Sequence, residues 1–406
     1  MLERLVSSFP SYNKPSTKKR LLFLRRTIAF GGSEVVVMDL LKAIDYETND
    51  VFLASTTDVF SERVKDLGLP VTCLPLTAPF QGRFFGMFMS WIRYLIGLRP
   101  DQIVLAEGGF GDFSLSAALA AFAIARGNVW MMELHPPPEP TKEPSKDRLR
   151  LVSRLGLRER ASVWLPKGIL SVSQGVKDRL VRGYGYAPEK ISVVYNGVDT
   201  TTFSPVSQDT RRALRRELRI PDEAVVIVSA SRLDPIKRLD RLIQAFGALS
   251  IERKDLRLLL TGEGPLRDEL ESLARSVDRA ETIRFLGHVK DVRTVLRASD
   301  IYVLPSDEEG FGLSLAEAMA CELVCVATKT IGPSEIIEHG LSGILTDLTY
   351  EGVLEGLDQA LRLDSTEREV IGKRARQRVV SKFRAEESAA KGLTFLKINP
   401  AIGTAQ

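Results

Sequence analysis

Cysteine and histidine are both scarce in this sequence of 406 residues, which contains three of each. They are Cys73, Cys321, Cys325, His135, His288 and His339. An odd and sparse set of cysteines does not make a disulfide framework, and it fits a reducing compartment. Cys321 and Cys325 are one helical turn apart, but no histidine or third cysteine nearby completes a metal site. The sequence therefore predicts neither a disulfide-stabilised protein nor a metal centre.

Long apolar runs and a strong net charge are also lacking. No uninterrupted apolar run reaches the length of a membrane span, and the first 20 residues contain no apolar signal-peptide core. We therefore expect a cytoplasmic protein. The formal net charge of +4 is small for this length, so nucleic acid is not an expected partner.

Two common phosphate-binding signatures are missing as well. The sequence has no G-x-x-x-x-G-K-[ST] segment, which excludes a P-loop ATPase. No G-x-G-x-x-G follows the first predicted strand, so the dinucleotide-binding fingerprint is absent.

What the sequence does contain is an alternation of short apolar runs with helical patterns, in two series. Continuous apolar runs are typical of parallel strands buried on both faces, and helices provide the crossovers between them. The first series is RLLFL (20–24), DVFLAST (50–56), VTCLPL (71–76), QIVLAE (102–107), VWMMEL (129–134), ILSVS (169–173) and KISVVYNGVD (190–199). The second is AVVIVSASR, LRLLLTGEGP, IRFLG, DIYVLPS, ELVCVAT and SGILTD, between residues 224 and 347.

This pattern predicts an α/β protein with two doubly wound, Rossmann-like domains. We expect the domains to span residues 1–198 and 199–380, with the polar, proline-containing stretch 200–210 as the linker. A last helix at about 381–397, with the tail to 406, either completes the first domain or stands apart. Helices are also predicted at 33–44, with Ser33 as the N-cap, and at 174–185, ending at a glycine. Ligands of such sheets bind beyond the carboxyl ends of the strands, and a cleft between two domains is a natural site.

Four segments of the second half place unusual residues just after a predicted strand. They are SRLDPIK (231–237), TGEGP (261–265), FLGHV (285–289) and EEGFGLSLAEA (308–318). The first supplies two cations, Arg232 and Lys237; the others supply glycine-rich loops, one of which leads into a helix. Cations, glycine loops and a helix N-terminus at one edge predict a diphosphate pocket. The alternative for the two cations is a surface pair on a loop. Ser314 and Glu317 have the spacing of a capping box, which is the alternative to a ligand-binding role for Glu317.

These four segments, together with KISVVYNGVD and with the eight-residue spacing of Glu309 and Glu317, resemble the retaining GT-B glycosyltransferases of the fourth family, the glycosyl transferases group 1. The resemblance extends in order over roughly residues 20 to 396. It implies the GT-B fold, in which two Rossmann-like domains face each other across a cleft. One segment, CELVCVAT (321–328), departs from the pattern, because the family usually has Gly and Pro where this chain has Glu322 and Val324. The departure puts the local turn in question.

The resemblance also implies roles for residues of the second half. Arg232 and Lys237 would hold the diphosphate of a nucleotide-sugar. Glu309 would contact hydroxyls of the donor sugar, and Glu317 would accept hydrogen bonds from the ribose hydroxyls. The remaining donor-binding positions would be Gly262 and Glu263 near the phosphates or the nucleoside, the backbone at Leu286 near the base, and the amides of Phe311, Gly312 and Leu313 near the sugar.

In the first half, Gly31 and Gly32 match the glycine loop of the family, which lets an acceptor or a phosphate approach the backbone. His135 follows a predicted strand where the family often has a histidine near the reacting sugar. Three prolines follow His135 directly, and a structural role is the alternative for this side chain.

The implied reaction transfers a sugar from a nucleoside-diphosphate-sugar to a hydroxyl acceptor, with retention of the anomeric configuration. The nucleotide-sugar is a co-substrate, and we expect no cofactor and no required metal. The acceptor is left open between a lipid-linked compound and a polysaccharide. A nucleotide-sugar epimerase or a sugar phosphorylase on a similar frame is the alternative enzyme, although no lysine stands out as a pyridoxal phosphate ligand. A non-catalytic sugar-nucleotide-binding protein is the third possibility.

Two features of the first half suggest a peripheral position at the inner face of a membrane. Residues 80–100 are rich in Phe, Met and Trp and contain Arg83, Arg93 and Arg99, as in helices that lie on a lipid surface. The first 26 residues form a basic arm with seven Lys and Arg against one Glu. A core helix and a solvated tail are the alternatives. An anionic membrane surface is therefore a further expected partner.

Overall fold

The computed structural model describes residues 17–25, 31–75, 84–107, 115–137 and 163–401. The chain divides into two units, Met1–Tyr195 with Glu386–Gln406, and Asn196–Ala385. The chain therefore passes from the first unit to the second after residue 195 and returns to the first after residue 385; we call these two points the crossings. The sequence predicted domain boundaries after residues 198 and 380.

The first unit is built on a parallel sheet with the strand order β3-β2-β1-β4-β5-β6-β7. Its strands are β1 (Lys19–Arg25), β2 (Asn49–Ser55), β3 (Val71–Pro75), β4 (Gln102–Glu107), β5 (Val129–Glu133), β6 (Gly168–Ser171) and β7 (Ile191–Val193). The helices described before the first crossing are α1 (Gly32–Ala43), α2 (Asp58–Asp66), α3 (Phe84–Leu98), α4 (Leu115–Ile124) and α5 (Gln174–Tyr184).

The second unit has a six-stranded parallel sheet with the order β10-β9-β8-β11-β12-β13. Its strands are β8 (Val225–Ala230), β9 (Leu256–Thr261), β10 (Ile283–Gly287), β11 (Ile301–Leu304), β12 (Val324–Thr328) and β13 (Ile344–Thr346). Its helices are α6 (Gln208–Glu217), α7 (Leu239–Ser250), α8 (Arg267–Ser276), α9 (Val292–Ala298), α10 (Leu313–Ala320), α11 (Ile331–Ile336), α12 (Tyr350–Arg362) and α13 (Ser365–Lys382).

Both sheets confirm the predicted fold class of two parallel α/β domains. The strands are buried because their apolar side chains alternate between two faces that are both covered by helices. In the second unit one face packs Leu258 and Val303 against Phe246 of α7 and Leu357 of α12.

The helix predicted at about 381–397 is confirmed within a few residues as α14 (Ala385–Leu396), which is separate from the helix that precedes it. Helix α13 ends at Lys382. The two non-helical residues Phe383 and Arg384 separate it from α14. Phe383 is buried and its ring packs on Phe311, with 5.5 Å between ring centroids. Burial of this aromatic side chain, rather than a glycine or a proline, marks the break between the two helices.

Helix α14 packs on the first unit. The rings of Phe395 and Trp130 on β5 meet edge to face at 5.3 Å, and the side-chain amide of Gln102 donates to the carbonyl of Leu396 at 2.7 Å. Leu393 and Leu396 are fully buried. The end of the chain therefore contributes to the core of the domain with which the chain begins.

The amphipathic segment 80–100 contains α3, and its residues 80–83, including Arg83, lie outside the described residues. Trp91, Tyr94, Leu95 and Leu98 face the core, as the core-helix alternative requires. On the other side Phe85 is 73% exposed and Ile96 is 50% exposed. None of the helices in the described residues is long and apolar enough to cross a membrane.

The basic arm is shorter than the sequence suggested. Lys19 to Arg25 form β1, and Arg25 is buried in an ion pair with Glu34. Arg25 therefore cannot attract an anionic surface. Residues 1–16 and Arg26 lie outside the described residues.

The turn before β12 is preserved although it lacks the usual glycine. Glu322 occupies the left-handed region with φ of 66°, and its N–H donates to the carbonyl of Met319 at 3.1 Å. Gly372 of α13 approaches so closely that an added Cβ would lie 2.2 Å from the Glu322 carbonyl oxygen. The surrounding packing thus holds Glu322 in a conformation that is costly for a non-glycine residue.

Candidate functional site

The second sheet changes direction between β8 and β11, because the chain runs from β8 out to β10 and then returns to β11 on the other side of β8. Such a topological switch point opens a crevice at the carboxyl ends of the two strands. The loop after β8 contains Arg232 and Lys237, and the loop after β11 contains Glu309. Residues that are far apart in sequence therefore reach the same edge.

Lys237 and Glu309 form an ion pair at this edge. The Lys237 Nζ lies 2.5 Å from Oε2 of Glu309, and both side chains are largely shielded from solvent. Lys237 closes a short 3-10 turn, Pro235–Lys237, in which the fixed φ of Pro235 favours the first position. A cation and a carboxylate in contact can together bind a phosphate and the hydroxyl groups of a neighbouring sugar.

Arg232 has a different partner, Asp234. Its Nε donates to Asp234 Oδ2 at 2.5 Å, and a second contact from Nη2 reaches the same oxygen. The Arg232 side chain is 55% exposed. The structure thus brings Lys237 to Glu309, whereas Arg232 pairs within its own loop.

The glycine loop after β9 passes against the loop after β8. A Cβ added at Gly262 would lie 2.0 Å from the carbonyl oxygen of Ser231, and one at Gly264 would lie 2.5 Å from that of Leu233. Gly262 also has φ of 130°, in the left-handed half of the map where glycine is favoured. Only glycine allows these two backbones to approach so closely.

Glu263 and Leu286 lie where β9 and β10 end. The Gly262 N–H donates to the Gly287 carbonyl at 2.8 Å, and the N–H of His288 donates to Oε1 of Glu263 at 3.2 Å. Leu286 is the residue of β10 that precedes Gly287. The N–H of Ser231 donates to the carbonyl of Thr261 at 3.1 Å, so hydrogen bonds join the ends of β8, β9 and β10.

The loop after β11 leads into α10, whose N-cap is Gly312 with φ of 97°. Leu313 is therefore the first helical residue, and the helix N-terminus faces the loop that carries Glu309. Phe311 is buried against Phe383, so it can offer a ligand its backbone but not its ring. The N–H of Gly332 donates to the Glu309 carbonyl at 2.9 Å and fixes the loop from the other side.

The predicted capping box of Ser314 and Glu317 is wrong. Because the helix begins at Leu313, Ser314 is its second residue, and no side chain caps the helix. The Ser314 hydroxyl instead lies 2.7 Å from the hydroxyl of Tyr302, which is buried on β11. Burial raises the pKa of the Tyr302 phenol well above its usual range, so this hydroxyl stays protonated.

Glu317 lies one turn into α10 and is half-buried. Burial raises the pKa of the nearby Cys321 thiol to about 12, and the negative charge of Glu317 contributes to this shift. Because the helix begins at Leu313, a capping box does not explain Glu317. The ligand-binding role of Glu317 remains a prediction.

In the first unit the switch point lies between β1 and β4, and the loop after β1 carries Gly31 and Gly32. Helix α1 begins at Gly32 with Gly31 as its N-cap, so the prediction of Ser33 as the cap is wrong. Glu34 Oε2 accepts the N–H of Gly31 at 2.9 Å, and Arg25 Nη2 lies 2.8 Å from Oε1 of the same carboxylate. The buried ion pair of Arg25 and Glu34 therefore fixes the backbone of this loop at Gly31.

His135 lies two residues beyond β5, and its side chain is exposed. No group of three or more His, Cys, Asp or Glu side chains in the described part of the chain is arranged to hold a metal ion. Cys321 and Cys325 are buried free thiols, and burial raises the pKa of Cys325 well above its usual value.

Sequence reasoning missed four residues that shape this site. Tyr302 and Gly332 carry no local signal, because their partners are distant in sequence. Asp307 and Arg238 also went unnoticed, although each lies within two residues of a predicted site residue.

Comparison with known proteins gives the same assignment for both halves of the chain. The model of the family described as Glycosyl transferases group 1 matches residues 210–378, and that of Glycosyltransferase Family 4 matches residues 30–202. N-acetyl-alpha-D-glucosaminyl L-malate synthase of Bacillus anthracis is 34% identical over 198 residues, covering 48% of this chain and 51% of the relative. D-inositol 3-phosphate glycosyltransferase of Corynebacterium kroppenstedtii is 38% identical over 180 residues, covering 42% and 40% respectively. The chain thus spans about half the length of the curated relatives it matches.

Among solved structures, HepE of Anabaena in complex with UDP and glucose superimposes with a TM-score of 0.75 at 21% identity. The match covers 93% of this chain and 99% of HepE. At this identity the similarity concerns the fold. Taken together, the two family models, the two parallel sheets and the shared fold show that the chain belongs to the group 1 glycosyltransferases of GT-B fold.

Proposed function

We propose that this protein is a retaining glycosyltransferase that moves a sugar from a nucleoside-diphosphate-sugar to a hydroxyl acceptor. The contact between Lys237 and Glu309 at the topological switch point carries this proposal, because it joins a phosphate-binding cation to a hydroxyl-binding carboxylate. The two relatives described above bear names of sugar-transfer or synthase activities. A fold shared with a protein that binds UDP and glucose is compatible with such a donor.

In the proposed reaction the diphosphate leaves the anomeric carbon of the sugar, and its negative charge grows in the transition state. Lys237 and Arg232, together with the backbone amides of Gly312 and Leu313, would stabilise that charge. Preorganised donors of this kind are typically worth about 2.7–4 kcal/mol each. Arg232 would exchange its contact with Asp234 for the phosphate, which its 55% exposure allows.

Glu309 would hold the donor sugar through its hydroxyl groups, and Glu317 would hold the ribose. The acceptor hydroxyl would attack from the face that the diphosphate leaves, and the departing phosphate would take its proton. This course retains the anomeric configuration without a protein nucleophile. His135 and the Gly31-Gly32 loop would serve the acceptor and the phosphate from the first unit.

We further propose that no metal ion or cofactor is required. Two cations and a helix N-terminus can neutralise a diphosphate in place of a divalent ion. Addition of a chelator should therefore leave turnover unchanged, and restoration of a lost activity by Mg²⁺ or Mn²⁺ would contradict this part of the proposal.

A panel of nucleoside-diphosphate-sugars tests the function directly. The purified protein is incubated with each donor, and released nucleoside diphosphate and the anomeric configuration of the product are measured. Release of diphosphate with a retained product supports the proposal. Isomerised donor without release indicates an epimerase, dependence on inorganic phosphate indicates a phosphorylase, and binding without any turnover indicates a non-catalytic protein.

We also propose that the protein works at an anionic membrane surface on the cytoplasmic side, on a lipid-linked acceptor. Helix α3 exposes Phe85 and Ile96, and α4, which packs on it, has Phe122 40% exposed. Arg93 and Arg99 are exposed on and just after α3. Aromatic and aliphatic side chains can enter the interface of a bilayer while adjacent arginines contact anionic headgroups.

A further inference from the structure

Asp307 contacts the chain on both sides of Lys237. Its backbone N–H donates to the carbonyl of Ile236 at 2.9 Å, and its Oδ2 accepts from Nη1 of Arg238 at 3.0 Å. Its second oxygen, Oδ1, accepts from Nη1 of Arg241 at 2.5 Å. Ile236 and Arg238 are the two neighbours of Lys237 in sequence. Asp307, in the loop after β11, is thus hydrogen-bonded to the turn that contains Lys237.

Arg238 adopts an unfavourable backbone conformation to make this contact. Its φ of 48° and ψ of 40° lie in the left-handed region, which is costly for a residue with a side chain. The guanidinium also donates twice to Asp240, at 3.0 and 2.9 Å. These side-chain contacts stabilise Arg238 in its left-handed conformation. Backbone strain of this kind is often found at functional positions.

Asp307 lies two residues before Glu309, whose carboxylate receives the Lys237 ammonium. The two loops are therefore joined twice, once by Asp307 to the neighbours of the lysine and once by Glu309 to the lysine itself. When a diphosphate draws Lys237 away from Glu309, the contacts of Asp307 still join the two loops.

We propose that Asp307, acting through Arg238, is a positioning residue that sets the spacing between the phosphate-binding Lys237 and the sugar-binding Glu309. The inference rests on the proposed function. In this role Asp307 and Arg238 act through Lys237 and Glu309, which are the proposed ligand-binding residues. Their role is to hold the lysine turn while the ligand replaces its contact with the glutamate.

A contribution to stability is a weaker explanation for this cluster. The side chains of Arg238, Asp240 and Asp307 are each about one-third exposed, and exposed ion pairs add little to the stability of a fold. Arg241, the other partner of Asp307, is only 12% exposed, so Asp307→Ala should lower stability more than Arg238→Gly does. The variants below should therefore fold, which a thermal unfolding midpoint close to that of wild type would establish.

The test compares Arg238→Gly with Arg279→Gly. Arg279 is a matched control because it too is left-handed, with φ of 59°, and pairs with an acidic residue two positions later, Glu281, at 3.6 Å. It precedes β10, at the amino end of the strands, whereas Arg238 follows β8 at the carboxyl end. Glycine accepts the left-handed conformation in both, so the two variants share the same backbone effect and differ in the side-chain contacts that they lose.

We expect Arg238→Gly and Asp307→Ala to lower kcat by roughly 10²-fold, the effect of a misplacement of about 1 Å. Asp307→Asn should lose less, because it keeps an acceptor oxygen. Arg279→Gly should stay within about twofold of wild type. KM for the donor should change less than kcat, because a loosely held lysine still attracts the diphosphate but meets the transition state poorly.

A double variant separates positioning from a general effect. If Asp307 acts through Lys237, the loss in Asp307→Ala/Lys237→Ala is smaller than the product of the two single losses. Losses that multiply, or an Asp307→Ala enzyme that matches the Arg279→Gly control, would overturn the inference alone. A wild-type protein that turns over no donor in the panel would overturn the proposed function, and this inference with it.

Discussion

Replacement of Lys237 by alanine removes the ammonium group that contacts Glu309, and with it a charge that would stabilise the leaving diphosphate. We expect turnover to fall by about 10²–10³-fold, equivalent to about 2.7–4 kcal/mol, with the fold intact. Steady-state release of nucleoside diphosphate measures the loss. Lys373→Ala is the control, because it removes an exposed Lys–Glu pair on α13. Turnover near that of the control would refute the assignment of Lys237.

Arg232→Ala should behave similarly if its guanidinium transfers from Asp234 to the phosphate. Arg253 offers the closest control, since it also pairs with an aspartate two residues later, Asp255, but stands before β9 at the opposite end of the strands. We expect Arg232→Ala to lose about 10²-fold in turnover and Arg253→Ala to lose little. Equal activities would show that Arg232 is only a surface partner of Asp234.

Substitution of Glu309, in the loop after β11, and of Glu317, in α10, should affect different steps. Glu309→Gln should depress turnover more than nucleotide affinity, because its proposed partner is the sugar. Glu317→Gln should weaken binding of the free nucleoside diphosphate, because its proposed partner is the ribose. Calorimetric titration of the diphosphate into both variants distinguishes them. Since Glu317 is not part of a cap, wild-type affinity in Glu317→Gln would leave that carboxylate without the proposed role.

Glu322 provides a test of stability that is independent of the ligand. In Glu322→Gly, relief of the left-handed strain should raise the free energy of unfolding by about 1–2 kcal/mol. The greater flexibility of glycine in the unfolded chain should lower it by about 0.5–1 kcal/mol. Glu322→Gly should therefore raise the free energy of unfolding by about 0.5–1 kcal/mol, as measured by urea denaturation. A lower stability would mean that the carboxylate makes a contact worth more than the strain.

The positions of these residues follow from the sequence much better than their contacts do. Arg232, Lys237 and Glu309 could be found because each follows a recognisable apolar strand. Their pairing could not be, because Lys237 and Glu309 are 72 residues apart and meet only through the order of strands in the sheet. The helix start at Gly312 was misassigned for a related reason: Ser314 has the spacing of a cap, but Gly312 takes the turn and Ser314 bonds to Tyr302.

Among the elements, α3 carries the prediction of membrane binding. Phe85→Asp should reduce co-sedimentation with anionic vesicles at low salt, because it places a charge at an aromatic position of the helix that is 73% exposed. Val59→Asp on α2 is the control, since Val59 is an exposed apolar residue (51%) of the same unit. High salt should weaken binding of the wild type. Equal binding to neutral and anionic vesicles, or equal loss in both variants, would leave a soluble acceptor as the better account.

The strands and the last helix were predicted within a few residues, whereas the end of α13 at Lys382 was not predicted. Each strand is an apolar run bounded by polar residues, and burial on both faces makes that pattern distinct. Near residue 383 the sequence has no glycine or proline, so the break between α13 and α14 depends on the packing of Phe383 against Phe311. Contacts of this kind are made in the folded protein and leave no local trace.

For the molecule as a whole, the return of α14 to the first unit predicts unequal effects of core substitutions. Leu393→Ala should cost about 2–5 kcal/mol, the usual range for a buried leucine, and the cost should fall on the first unit. Thr394→Ala, at an exposed position of the same helix, should cost far less. Hydrogen exchange resolved by peptide would locate the loss. Equal destabilisation of β8–β13 would show that the two units unfold together.

The placement of α14 also has a consequence for the timing of synthesis. The bond between Gln102 and Leu396 joins residues 294 positions apart, and the whole of the second unit, Asn196–Ala385, is made between them. At about 5–20 residues per second, those residues take on the order of 10–40 s to emerge from the ribosome. During that interval Trp130 lacks Phe395, its aromatic partner from the end of the chain. The domain made first is therefore completed last, and a nascent chain of this protein offers chaperones a half-finished apolar surface until translation ends.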